Sequence, residues 1–410
     1  MHARHVFVSS VFLFLLALCI VALLPPRDSP SPLSFFQQAP VSSKDITEQD
    51  SWGGANNCDY SDGRWVRDDA AVTTAYREDC PFLDPGFRCM QNGRSDSSFR
   101  FNATEMLERS RNGRIVFAGD SIGRNQWESM LCMLADAVPA GASRVYEQSG
   151  KPMSRHKGYL SMVFADYNLS VEYYRAPMIV RVDRVTANAD DGDVMRGAVR
   201  LDVLPRHADR WADADVLVLN TGHWWNPHKT VKAGNYFMVG KRLNRTMDIK
   251  EAFRLSLRTV KDWGLSRAHF PKPISSSGAI HLRTICCVFN LPGNGSNGTW
   301  HTGGSCADQR EPLTTNSRFG EEYSWINDMI LKMTEDIKSH GRNKAQFLNI
   351  TRMTELRPDG HPSGHREPGT PSDAPEDCSH WCLPGVPDVW NQVLYAHLFS
   401  MGYDTRTKQR

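Results

Sequence analysis

The chain of 410 residues reads as an α/β protein, a three-layer sandwich around a mainly parallel sheet. Three observations predict this. RIVFAG at 114–119 is strand-like and runs almost directly into the helical NQWESMLCMLA at 125–135. DVLVLN at 215–220 is short and has no polar face, the pattern of a strand buried between two layers. Strand-like and helical stretches then alternate to the end of the chain.

Taken in order, SMVFADY (161–167) and VEYYRAPMIV (171–180) look like two further strands. MDIKEAFRLSLRTVKDWG (247–264) places Ile249, Phe253, Leu257 and Val260 at helical spacing. IHLRTICCVF (280–289) is strand-like, EEYSWINDMILKMTEDIKSHG (321–341) helical, AQFLNIT (345–351) strand-like, and DVWNQVLYAHLFSMG (388–402) a closing helix. In open sheets of this kind ligands bind at the carboxyl ends of the strands, where the loops GDSIG (119–123) and NTGHWW (220–225) both fall. The two loops are therefore expected on one rim.

Composition bounds the function. With 40% hydrophobic and 23% charged residues the chain has ample material for a core. A net charge of +2, with no basic run, excludes the electrostatic footprint of a nucleic-acid binder. The N-terminus carries Arg4 and no acid ahead of VFVSSVFLFLLALCIVALL (6–24), which as a helix would span roughly 28 Å, about one hydrocarbon core. This predicts an uncleaved signal anchor with residues 1–5 cytosolic and the bulk of the chain lumenal. Asn-x-Ser/Thr acceptors at Asn102, Asn168, Asn244, Asn294, Asn297 and Asn349 agree with that address. So do ten cysteines, of which only Cys19 lies in the apolar run. Residues 25–57, with PPRDSPSPLSFFQQAP, read as a stem. An N-terminal subdomain over 58–112 and a catalytic α/β domain over 113–410 follow.

Ser121 sits at a strand-to-helix bend between Gly119 and Gly123. Its hydroxyl needs a base to take its proton and donors for the oxyanion that follows. The bend exposes the hydroxyl and aims helix amides at developing negative charge, while the glycines permit a sharp turn and leave room for substrate. A helix cap is the alternative use of an Asp-Ser pair. GDSIG fits both the G-x-S-x-G elbow of α/β-hydrolases and the GDS block of GDSL/SGNH-type esterases. The second type places its acid and histidine together near the C-terminus as D-x-x-H, and Asp377 and His380 have that spacing. On a turn-like backbone the carboxylate can orient the imidazole toward Ser121. Asn220 and Gly222, with the Ser121 amide, are candidate oxyanion donors, and His223, Trp224 and Trp225 a candidate wall for sugar rings. His361 and His365 are rival bases in a Pro/Gly-dense stretch expected to be a mobile loop. No cluster has zinc-ligand spacing that a disulfide would not explain better, so no metal is expected.

CDYSDGRWV (58–66), CPFL (80–83), RCMQNGR (88–94), GDSIGRNQWESMLCML, LNTGHWW, WHTGGSC (300–306) and DCSHWCLPGVPDVWN (377–391) closely resemble the plant trichome birefringence-like family. The resemblance covers nearly all of residues 58–402. It implies a GDSL/SGNH-esterase-like fold and a single-pass type II Golgi enzyme that O-acetylates cell-wall polysaccharide, xylan foremost and pectin or mannan as alternatives. It implies Ser121 as acyl-enzyme nucleophile, His380 as base and Asp377 as its orienter. No bound cofactor is implied, but an acetyl donor, acetyl-CoA or a derived acetyl carrier, is required as co-substrate. The disulfides implied are Cys80–Cys132, Cys89–Cys382 and Cys306–Cys378. A tryptophan-rich stretch ending in cysteine, usual in the family before the FNAT segment, is absent after Phe99. Cys58 thus lacks its family partner, leaving it free or paired with Cys286 or Cys287. Two other functions fit the same residues: an esterase, in which water wins the second step, and a non-catalytic wall-polysaccharide binder.

Overall fold

The computed structural model describes residues 76–89, 91–92, 102–138, 144–153, 158–184, 195–211, 213–267, 306–307, 309–313, 324–340 and 345–407, with the backbone of two short strands at 34–37 and 64–66. The chain divides into two units, Met1–Pro32 and Leu33–Arg410. The first, with the apolar run at 6–24, lies outside the described residues, as do Cys58, Cys286, Cys287, Asn294, Asn297 and the strand expected at 280–289. Among the described residues no helix is long and apolar enough to cross a membrane.

Strand β1 (Ser34–Gln37) falls inside the stretch expected to be a stem and pairs antiparallel with β2 (Arg64–Val66). Helix α1 (Ala103–Arg109) is capped by Asn102, whose side chain accepts the Glu105 N–H. Strand β3 (Arg114–Gly119) then feeds helix α2 (Ser121–Ala135) across the single residue Asp120. Next come β4 (Val145–Glu147), β5 (Tyr159–Phe164), β6 (Leu169–Arg175), β7 (Arg181–Arg184), β8 (Gly197–Arg200) and β9 (Val216–Leu219). Strands β10 (Asn235–Val239) and β11 (Arg242–Asn244) precede helices α3 (Ile249–Arg267), α4 (Ser324–Ser339), α5 (Thr351–Glu355) and α6 (Val386–Ser400).

The main sheet runs β4-β5-β6-β3-β9. Its centre is parallel, as expected, with β3 between β6 and β9. Its other half is an antiparallel meander of β4, β5 and β6. The reason is connection length: only Ala165–Asn168 separates β5 from β6, a 3₁₀ turn closed by Asn168 at φ 46°, and a parallel crossover needs about a dozen residues or more. A second, four-stranded sheet, β11-β10-β8-β7, was not anticipated. Strands such as RVDR carry too little apolar alternation to be read from sequence. The expected strand at 345–351 is also absent. Leu348 and Ile350 are buried, but the stretch joins no ladder among the described residues and Thr351 opens α5.

Alternation along the central strands produces the layers. Ile115, Phe117, Val216 and Val218 share one core with Trp127, Met130 and Leu134 of α2 and Trp390, Leu394 and Leu398 of α6. Val116, Ala118, Leu217 and Leu219 share the other with Phe253, Leu257 and Val260 of α3 and Ile326, Ile330 and Ile337 of α4. Tyr76, Phe82, Leu83 and Phe87 from the segment before α1 join the first core. That segment is stapled to the α/β body by Cys80–Cys132 and Cys89–Cys382, while Cys306–Cys378 closes a third loop. These are the three pairings that the resemblance implies. Cys89–Cys382 spans 293 residues, so its loss frees a very long loop in the unfolded chain. Converting both cysteines to serine is expected to cost about 2–5 kcal/mol, read as an earlier thermal unfolding midpoint than the parent's.

Of the glycan acceptors, Asn102 and Asn168 are exposed and Asn244 and Asn349 half-buried.

Candidate active site

The bend at 119–123 is built around Asn220, the residue that follows β9. Its Oδ1 accepts the Asp120 N–H at 2.8 Å and the Gly123 N–H at 3.1 Å, and its Nδ2 donates to Asp120 Oδ1 at 3.0 Å. A Cβ on Gly119 would stand 1.9 Å from Asn220 Oδ1, and one on Gly123 2.3 Å. The two glycines thus make room for this amide rather than for substrate, and neither has a left-handed backbone.

Asp120 caps α2, its Oδ1 accepting the Ile122 N–H at 2.9 Å, and its carbonyl accepts the Tyr173 hydroxyl at 2.8 Å and the Arg124 N–H. Of the first four amides of α2, those of Ile122, Gly123 and Arg124 are thereby satisfied. The Ser121 N–H has no acceptor among the described residues. Asp120 is buried, which pushes its carboxyl up against the opposing effect of its bonds to Asn220 and Ile122 and the charge of His380.

The second half of the site is the segment Asp377–Trp381. His380 Nδ1 lies 3.0 and 2.9 Å from the two Asp377 oxygens. Asp377 Oδ1 also accepts the backbone N–H groups of Ser379 and His380, a tight local turn that explains the three-residue spacing. Burial would raise the Asp377 carboxyl, but the His380 charge and these hydrogen bonds hold it well below the usual carboxylate range. Burial likewise opposes the His380 cation, yet the Asp377 carboxylate, aided by Asp120 and Asp84, raises its pKa above the ordinary 6.5. With Nδ1 bound to a carboxylate, the neutral imidazole presents Nε2 as acceptor.

Asn125 joins the halves. One turn along α2 from Ser121, it accepts the Trp381 N–H at 2.8 Å and donates to the Trp381 carbonyl at 3.1 Å. The residue after His380 is therefore pinned to the helix that Ser121 opens. Phe87 packs its ring 5.4 Å from the His380 imidazole. Sequence reasoning missed Asn125, although its position four residues after Ser121 places it on the same helix face. The Asp–His half of the expected triad is thus formed. The Ser121 hydroxyl, partly exposed, has no hydrogen-bond partner among the described residues.

The rival bases have other tasks. His361 is buried and its Nδ1 meets the His380 carbonyl at 2.7 Å, while burial holds its pKa down. His365 Nδ1 lies 3.2 Å from the Asn92 carbonyl. The stretch expected to be a mobile loop is tied by a bridge between Ser363 and Asp377. Glu376, beside Cys306 and Cys378, accepts the Cys306 and Ala307 N–H groups and the Ser363 hydroxyl, and both sulfurs are spent in the disulfide.

The expected aromatic wall is reduced. Trp225 belongs to the core: it is 1% exposed, stacked on Phe237, edge-on to Phe253, and donates its indole N–H to Thr221. Trp225 lies six residues past the end of β9 and is drawn inward by the second sheet, which has no clear sequence signature. His223 is buried, its carbonyl taken by Asn226. Gly222 has φ 134°, a conformation suited to glycine. Trp224 is half-buried at the rim.

Residues 99–397 match the GDSL/SGNH-like acyl-esterase family found in Pmr5 and Cas1p, and residues 56–102 match the PMR5 N-terminal domain. The chain is similar to protein trichome birefringence-like 9 of Arabidopsis thaliana, with 44% identity over 98% of this chain and 95% of that protein. It is 38% identical to protein trichome birefringence-like 6 of the same plant, over 83% of this chain and 70% of that protein. It is 31% identical to xylan O-acetyltransferase 14 of Oryza sativa subsp. japonica, over 85% of this chain and 79% of that protein.

Proposed function

We infer the function from the fact that the chain belongs to the trichome birefringence-like family of GDSL/SGNH-like proteins: it transfers acetyl groups to hydroxyls of a plant cell-wall polysaccharide. Xylan is the acceptor favoured by the rice relative's name. The apolar run at 6–24 supports a type II protein of the Golgi membrane with the site lumenal. The observation that carries the reading is the Asp377–His380 pair, pinned through Asn125 to the helix that Ser121 opens.

In the first half-reaction His380 Nε2 takes the Ser121 proton as Oγ attacks the acetyl carbonyl of the donor. The donor leaving group departs with that proton, and the acetyl group rests on Ser121. In the second, an acceptor sugar hydroxyl gives its proton to His380 and attacks the acyl carbon; the bond from that carbon to Ser121 Oγ breaks, and His380 returns the proton to the departing oxygen, restoring serine and neutral imidazole. Asp377 holds the imidazole in the tautomer both steps need. The Ser121 N–H, which has no acceptor among the described residues, receives the oxyanion with the Gly222 N–H, and Asn220 holds the bend that aims them. The serine–imidazole hydrogen bond forms as donor binds, since such bonds commonly tighten in the substrate complex.

Incubating the protein with acetyl donor and mapping the adduct by mass spectrometry tests this: acetyl is expected on the Ser121 peptide and leaves on addition of a xylo-oligosaccharide, which becomes acetylated. Release of free acetate alone would instead mark an esterase, the activity named in the family's description. The pH dependence follows from the signs above. A protonated His380 cannot act as base, and its pKa is raised, so the acid limb of the rate profile is expected above 6.5. Asp377→Asn removes the raising charge and leaves burial, which lowers; the limb should move to lower pH as the maximal rate falls about 10⁴-fold.

A further inference from the structure

One cluster on this rim has no part in the acyl chemistry. Arg175 ends β6 in register with Gly119, beside the bend. Its guanidinium carbon stands 5.6 Å from the centre of the Trp224 indole, and the Lys229 ammonium stands 5.1 Å from the same ring. An aromatic ring attracts cations without neutralising them. Arg175 is exposed and forms no ion pair with a carboxylate among the described residues. For Lys229, burial disfavours the charged form and Arg175 adds repulsion, while the charge of Asp120 opposes both. Asp120 itself is buried and committed to the helix cap. Exposed Arg175 and half-buried Lys229 repel each other beside this ring, and an arriving anion lowers that repulsion.

We propose that Arg175 and Lys229, gathered on Trp224 beside the bend, form a subsite for an anionic oxygen group of a substrate. Two sources share this chemistry: the carboxylate of an acidic sugar in the acceptor chain and a phosphate of the acetyl donor. The assignment rests on the acyl-transfer reading of the rim, and its test is one of binding, so that the two can fail separately.

Full-length protein carrying Ser121→Ala, which cannot turn over, is titrated with a uronate-bearing oligosaccharide and with its carboxyl-reduced neutral twin. A second pair compares acetyl-CoA with an acetyl thioester lacking phosphates. One pair is expected to differ in affinity by about tenfold or more in favour of the anion, with an advantage that shrinks as salt is raised. The advantage should vanish in Arg175→Gln/Lys229→Gln and be kept in Arg175→Lys/Lys229→Arg. The pair that differs identifies the source. Equal affinities within both pairs, or an advantage surviving in the glutamine variant, overturn the proposal. Arg175→Gln alone, at an exposed position, supplies the comparison if the double variant unfolds early. If the parental protein never forms acetyl-Ser121 while the Ser121→Ala protein keeps the preference, the acyl reading is lost and the subsite retained.

Discussion

Ser121→Ala is expected to cut acetyl transfer by on the order of 10⁶-fold while leaving the fold intact. The hydroxyl makes no hydrogen bond among the described residues, and α2 is capped by Asp120 and clamped by Asn220, so no structural support leaves with it. His380→Ala should cost about as much, and the double variant on the order of the same 10⁶, because the two groups act as one unit. Steady-state rates on an oligosaccharide acceptor, with thermal unfolding as control, decide the matter. Near-parental transfer in either single variant would remove Ser121 and His380 from the chemistry. Parental transfer with an early unfolding midpoint would make the bend structural.

Asn220→Ala is expected to act on the fold and the chemistry together. Asn220 is buried, and its loss leaves the Asp120 N–H and Gly123 N–H groups without acceptors and Asp120 Oδ1 without one of its donors. Stranded buried amides cost about 1–3 kcal/mol each, so a total loss of roughly 2–6 kcal/mol is expected for the two, with the Ser121 amide no longer aimed. Asn220→Asp separates the contributions. It keeps the acceptor for both amides but replaces the donor facing Asp120 by a second carboxylate oxygen. Two carboxylates there cannot both ionise cheaply, so this variant should lose stability as pH rises and one proton is forced off. Denaturant unfolding across pH measures this, and a variant as stable at high pH as at low pH contradicts the arrangement.

The parts of the molecule that could be read from sequence are those that depend on local pattern. β3, β9, α2, α3, α4 and α6 stand where apolar periodicity placed them, and Asp377 and His380 meet because a three-residue turn suffices to bring them together. What stayed hidden depends on partners distant in the chain. Asn220 looked like an oxyanion donor because a polar residue ends an apolar strand. That its amide would be inserted between Gly119 and Gly123 follows only from the β3–β9 pairing. Trp225 looked like a sugar platform because β10, whose Phe237 covers it, has no clear sequence signature. His361 resembled a base, and only the fold turns its nitrogen onto the His380 carbonyl.

His380 sits between two bridged cysteines: Cys378, which directly follows Asp377, and Cys382, two residues after His380. With both bridges reduced, the non-covalent ties of this segment, Asn125 to Trp381 and Ser363 to Asp377, carry the placement of the imidazole without covalent support on either side. A reductant should extinguish turnover before it melts the sheet.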